Sequence, residues 1–323
     1  MRARGPLRGK DSTEVSPVST WVLKVLSRMT VLLPWQRAQD LGALLGLVWF
    51  HLVRIRRRTV LANLALALPE RSAEHRRIAR ETYRHLGICA LELLKLRGLS
   101  PDEVARKVHD HGRERYEAAL ARGRGVIVVT AHYGNFDLLA CAQACRGVPL
   151  AIVSRDLHGD ANRFWMETRR AKGLTIFRDE GSLKDIVRWL KEGKVLGFVV
   201  DQRTPPRKGG ILSPFFGRDA WTTTAPVVLA TRTGCALLPV RIERKQDGDH
   251  DAWIEEEIEV SAGDAGVVPI LTARINAVVE RWVRARPGHW MWLHRRFEGI
   301  PTIKRDVSGN RCRETGACRE TGA

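Results

Sequence analysis

The chain has 323 residues, 44% hydrophobic and 28% charged, which supplies a sizeable core for one large domain or two modest ones and excludes disorder as its default state. Its formal charge of +18 calls for an anionic partner: nucleic acid, an anionic membrane surface, or an acidic protein or substrate. The arginines are dispersed and no nucleic-acid module is marked by its motif, so lipid phosphates and an acidic carrier are favoured over nucleic acid.

In chain order, residues 1–18 lack hydrophobic periodicity and are expected to form a disordered basic arm. Over residues 19–58 the chain is apolar but interrupted by Lys24, Arg28, Arg37 and Asp40. The longest uncharged stretch, Leu41–Val53, is 13 residues, short of the roughly 20 that span a bilayer. It is read as an interfacial or re-entrant segment, as part of a poor span with Trp21–Leu33, or as a buried core helix with a basic cap. Arg54, Arg56, Arg57 and Arg58 follow at once, where snorkelling side chains would meet anionic headgroups.

A helical period runs over residues 72–97 with Ser72 as N-cap, expected to pack against a sheet, and Glu92 on its apolar side calls for an arginine if buried. Val126–Val129, Leu150–Val153 and Val195–Val200 are short continuous apolar runs, the pattern of strands covered on both faces. Helices are expected at Asn162–Gly173, Ser182–Lys191, Ala225–Thr233 and Thr272–Arg284. Strands are expected at Ala236–Ile242, with Pro239 hinting at an edge or bulge, and at Trp253–Val260. This repeated βα order gives an α/β fold: a mixed, mostly parallel sheet flanked by helices. Residues 301–323, ending in the direct repeat CRETGA-CRETGA, are expected to be a disordered tail. Six cysteines are too few for a disulfide scaffold, and with no pair to complete Cys141 and Cys145, no metal site is expected.

His132 follows the first apolar run, at the carboxyl end where open α/β sheets place their ligands, and Gly134-Asn135 supplies the turn into a helix whose first turn holds Asp137. On one continuous helix the two would point about 140° apart. Across the turn, Asp137 is instead expected to fold back, accept the imidazole N–H and make His132 a general base; the alternative is a strand cap and a helix-start aspartate. No G-x-S-x-G elbow supplies a nucleophile, so the proton removed would be the substrate's own hydroxyl, as in direct acyl transfer. Arg155 is read as a fork for phosphate or oxyanion, or as an exposed loop arginine. Asp201 and Gln202 share the edge with His132; Asp201 either holds an arginine or substrate polar group or merely turns the chain. Arg203 opens a cationic loop to Gly210 suited to a headgroup or a phosphopantetheine carrier, and Phe215 and Phe216 would flank a hydrocarbon chain.

The hexad His132-Tyr133-Gly134-Asn135-Phe136-Asp137 resembles the H-x4-D signature of the lysophospholipid acyltransferase superfamily, and its GNF core resembles the lipid A late acyltransferases, the lauroyl and myristoyl transferases. Asn63-Leu64, Leu68-Pro69-Glu70, Leu91-Glu92, Val200-Asp201-Gln202, Pro214-Phe215-Phe216-Gly217, Thr222–Thr224, Leu229-Ala230, Thr233-Gly234, Pro239 and Trp292-Leu293-His294-Arg295-Arg296-Phe297 follow that branch in order and spacing. The resemblance implies an acyltransferase domain over residues 59–300 and a membrane-associated helical segment over 19–58. It places the enzyme at the inner membrane, with the catalytic domain on the cytoplasmic face. It also implies acyl carrier protein, or acyl-CoA, as donor, a lipid A precursor as acceptor, no cofactor, and Arg155 at the site. Another anionic lipid as acceptor, a phosphatidylinositol mannoside or lysophospholipid, and a non-catalytic basic membrane-binding protein are the competing readings.

Overall fold

Apolar β-branched residues without alternation cannot face water on either side, and the computed structural model buries Val126–Thr130 at the centre of a seven-stranded sheet. The structure describes residues 18–154, 159–260 and 265–300, with two-residue strands at 304–305 and 311–312. Arg155, residues 1–17 of the expected arm and most of the tail lie outside the described residues, and Val18 already belongs to a helix.

The chain opens with four helices, α1 (Val18–Leu32), α2 (Trp35–Val48), α3 (Arg57–Ala67) and α4 (His75–Leu96). There follow α5 (Pro101–Arg106), β1 (Val108–His111), α6 (Arg113–Ala121), β2 (Val126–Thr130), α7 (Phe136–Cys145), β3 (Leu150–Ser154) and α8 (Asp160–Ala171). Then come β4 (Thr175–Arg178), α9 (Leu183–Lys191), β5 (Val195–Val199), β6 (Gly210–Phe215), β7 (Arg218–Thr223), α10 (Ala225–Thr233), β8 (Ala236–Arg244), β9 (His250–Ile254) and α11 (Val268–Ala285). The sheet order is β1-β9-β8-β2-β5-β3-β4; β8, β2, β5, β3 and β4 are mutually parallel, and β9 reverses direction and pairs parallel with β1. The mixed, mostly parallel sheet is the one expected. Strands β6 and β7 form a separate hairpin.

Three local expectations are corrected. Pro239 lies neither at an edge nor in a bulge: β8 is interior, its ladder to β2 ends at Pro239 and its ladder to β9 begins at Val240, so the missing N–H falls where the neighbours change over. The expected strand 253–260 is regular only to Ile254; beyond it Glu255 and Ile258 donate singly to the Pro239 and Leu237 carbonyls. Helix α4 begins at His75, after a tight turn over Pro69–Glu74, and its principal partner is α2 rather than the sheet.

The α2–α4 contact is close because glycines face each other across it. A Cβ on Gly87 would lie 2.1 Å from the Gly42 carbonyl oxygen, and one on Gly46 2.1 Å from that of Tyr83. Among the described residues no single helix is long and apolar enough to cross a membrane, although Trp35–Val53 and α3, bent by 97°, pass together on length and composition. Among the described residues, twelve of the fourteen exposed large apolar side chains lie between Trp21 and Ile55, so α1, α2 and the turn after them turn an apolar face outward while their inner face packs on α4.

Gly87→Ala should lower the urea midpoint by the equivalent of about 1–3 kcal/mol at unchanged slope, because the added methyl must separate two backbones. An unchanged midpoint would mean that the helices part without cost.

Candidate active site

Parallel pairing in register fixes which residues meet at the sheet's carboxyl edge. Thr130 pairs with Val199, and Val200 N–H donates to the Thr130 carbonyl at 2.9 Å. Two residues further on, His132 and Asp201 emerge side by side. Asp201 Oδ1 lies 2.7 Å from His132 Nδ1, and Oδ2 accepts from the His132 backbone N–H at 3.0 Å and from Trp290 Nε1 at 2.6 Å. Burial alone would raise the Asp201 pKa. The facing His132 imidazole and these hydrogen bonds outweigh it and hold the carboxyl at about 2, so Asp201 is an anion that accepts the Nδ1–H and leaves the lone pair on Nε2.

The backbone around His132 is equally fixed. Its carbonyl accepts from Met291 N–H at 3.0 Å, and Gly134 N–H donates to the His289 carbonyl at 3.0 Å. Gly134 has φ +61, and a Cβ there would lie 2.0 Å from the Ile242 carbonyl oxygen, so glycine is required twice over. The Asn135 side chain then caps α7 by accepting from Leu138 N–H at 3.0 Å.

Asp137 does not orient His132. In the first turn of α7 it faces α8, where Arg169 Nε donates to its Oδ1 at 2.7 Å and Nη2 lies 2.6 Å from the same oxygen. With Asp201 seated on His132 Nδ1 and this guanidinium as counter-charge, Asp137 neutralises Arg169. Gln202 Nε2 lies 3.0 Å from His132 Nε2 and 3.0 Å from His294 Nε2, so its amide donates to the free lone pair, a position that a substrate hydroxyl would take over.

The remaining expected residues divide. Arg203 is exposed, with its guanidinium against Gly299. Phe215 and Phe216 are buried and do not line the large cavity beside His132: they pack edge to face on each other and against Trp290, Trp292 and Phe297. Phe216 (φ +54) and Gly217 (φ +68) form the two-residue turn of the β6–β7 hairpin, which drives both rings beneath Trp290, the donor to Asp201. Arg296, which the sequence marks only as part of the Trp292–Phe297 run, is buried with Nη2 2.8 Å from Thr222 Oγ1, Nη1 on the Trp221 carbonyl and a longer contact of 3.5 Å to that of Gln202. Burial lowers its pKa to about 10 against the opposing pull of Asp201.

A cavity of about 930 Å³ opens beside His132. Leu139 and Ala140 of α7 with Val128, Ile152 and Leu238 of the sheet give it an apolar wall, and Arg169, Arg178, Arg207, Lys208 and Arg232 give it cations. Lys208 spans to Asp179 and Glu180 at 3.5 and 3.2 Å, so two lining segments are tied together by charge.

The family model described as bacterial lipid A biosynthesis acyltransferase matches residues 10–298. The chain belongs to this family. It is an acyltransferase. It is 29% identical over 288 residues to the lipid A biosynthesis palmitoleoyltransferase of Escherichia coli (strain K12), covering 87% of this chain and 92% of that one. The lauroyltransferase of the same organism is 28% identical over 292 residues, 88% and 94% of the two chains. The phosphatidylinositol mannoside acyltransferase of Mycolicibacterium smegmatis is 24% identical over 205 residues, 57% and 64%.

Two outcomes follow from the geometry. Asp201→Asn should lower kcat by about 10²-fold or more, because an amide releases the imidazole tautomer, whereas Asp137→Asn should cost less; steady-state kinetics showing the reverse order would return the orienting role to Asp137. Burial holds His250 and His289 at about 4 and about 3 in the fold, while in the unfolded chain they titrate near 6.5. As pH falls below 6.5 the unfolded state takes up the protons first, so stability drops by about 1–2 kcal/mol for each of them by pH 5, and again through the range 3.8 to 2 as Asp201 is protonated. Urea midpoints equal at pH 7.5 and pH 5 would contradict this.

Proposed function

We propose that the protein transfers a fatty acyl group from an acyl thioester to a hydroxyl of a lipid A precursor at a membrane surface. The observation that carries the proposal is the Asp201-held His132, whose Nε2 lone pair adjoins a cavity with an apolar wall and cationic side chains. In the reaction the acceptor hydroxyl replaces the Gln202 amide on Nε2 and gives up its proton to the imidazole. The alkoxide oxygen attacks the thioester carbon, and the tetrahedral intermediate collapses with loss of the thiolate, which takes the proton back from the imidazolium. Asp201 stabilises the cation formed in between, the apolar wall suits the acyl chain, and the cations suit phosphates of a glycolipid or of a carrier-borne pantetheine.

Membrane association rests on the outward apolar face of α1 and α2 and on the loop behind it. Leu52 and Val53 are exposed just before the arginines and Ile55 between Arg54 and Arg56, and Arg54 and Arg56 adopt left-handed backbone with φ +58 and +59. Arg54 and Arg57 donate to the His51 and Phe50 carbonyls at 2.7 and 3.3 Å and Arg56 to that of Leu293 at 3.1 Å, which holds three guanidinium groups, and these three arginines line one small pocket with Arg58. The phosphatidylinositol mannoside relative favours a second reading, in which the acceptor is another anionic glycolipid.

Mass spectrometry of lipid A from a strain lacking the gene should show one acyl chain fewer, restored by the wild-type chain and not by His132→Ala; purified His132→Ala should lose about 10²- to 10⁴-fold in rate. Unaltered lipid A would point to the other acceptor. Charge reversal at Arg54, Arg56, Arg57 and Arg58 should weaken binding to anionic liposomes by about 1 kcal/mol for each side chain that reaches the surface; unchanged binding would remove these arginines from the membrane face.

A further inference from the structure

Beneath the His132 turn lies a carboxylate that touches no substrate. Glu92 of α4 is wholly buried and accepts four hydrogen bonds: from Arg244 Nε and Nη2 at 2.9 and 2.8 Å, from Gln39 Nε2 of α2 at 2.6 Å and from Asn135 Nδ2 at 2.7 Å. His250 Nε2 stands 3.5 Å from the same carboxylate. An apolar pair would hold α4 to the sheet at lower desolvation cost, so a fully buried ion pair with this many donors is better explained by what it orients. One of those donors is the cap of α7. Asn135 uses its oxygen to accept from Leu138 N–H and its nitrogen to bond Glu92, so its side chain has both ends fixed. Three residues earlier in the chain stands His132.

We propose that Glu92 is a positioning residue for acyl transfer: through Asn135 it sets the turn that aims His132, and through Gln39 it ties that turn to α2, the helix whose other face is exposed and apolar. Resting on the acyl-transfer reading above, the assignment makes the outward apolar layer and the base one rigid unit joined by a single carboxylate. A shift of about 1 Å in a base is enough to cost about 10²-fold in rate. Acceptor and donor contacts are left in place, so the loss falls on kcat.

The test uses the purified full-length chain with an acyl thioester donor and a lipid A precursor. Asn135→Ser keeps an oxygen to cap α7 but loses the donor to Glu92. It should fold with a thermal midpoint near that of wild type, and kcat should fall about 10-fold or more with both KM values within about twofold. Glu92→Gln and Asn135→Asp should each lose at least as much, the first by removing the charge opposite Arg244 and the second by setting two carboxylates against each other. A folded Asn135→Ser with wild-type kcat overturns the proposal, as does a folded Glu92→Gln with wild-type kcat. If Glu92→Gln does not fold, Asn135→Ser decides alone. His132→Ala, run alongside, separates the two levels: full activity there defeats the acyl-transfer reading itself, whereas its loss together with an unaffected Asn135→Ser defeats only the role of Glu92.

Discussion

A carboxylate removed from water is tolerable only where donors replace its hydration, and Asp201 has three of them in a space closed to solvent. Two come from His132, its backbone N–H and its imidazole, and the third comes from the Trp290 indole. Each donor is held by a different part of the chain: the β2–β5 register brings His132 opposite Asp201, and the aromatic cluster around Phe215, Phe216 and Trp292 seats Trp290. The left-handed backbone at Phe216 is part of the same arrangement, because only that turn brings both phenylalanines under the indole. Removing the carboxylate would leave Nδ1 and Trp290 Nε1 without an acceptor at once.

The helical layer over the site obeys a second constraint. Gly42, Gly46 and Gly87 let α2 lie backbone to backbone on α4, so little side-chain volume separates the exposed apolar face from the buried Glu92.

Much of this was legible in the sequence. The three continuous apolar runs that became β2, β3 and β5 sit at the sheet's centre, and the Gly134-Asn135 turn with Asp137 in the following helix is where residue types place it. Loop geometry around Gly134 points His132 at Asp137, whereas strand register points it at Asp201. Val126–Thr130 and Val195–Val199 are runs of equal length, each followed two residues later by a polar side chain, and equal offsets from parallel strands put those side chains together. That signal was present at His132 and Asp201 and needed only the assumption that the two strands are neighbours. Phe215 and Phe216 were misplaced for a different reason: a strained two-residue turn leaves no mark in composition, and without it aromatic residues near a site read as a lining. The arginine expected for Glu92 lies 152 residues away in β8, a contact that no local pattern encodes.

NMR of the ¹⁵N-histidine-labelled protein reads whether Asp201 or Asp137 holds His132 as the Nδ1–H tautomer. At neutral pH the His132 Nε2 resonance should be that of an unprotonated nitrogen and Nδ1 that of a protonated one. The pattern should survive Asp137→Asn and be lost in Asp201→Asn. A proton on Nε2 in the wild-type protein, or a pattern lost in Asp137→Asn and kept in Asp201→Asn, would contradict the role of Asp201.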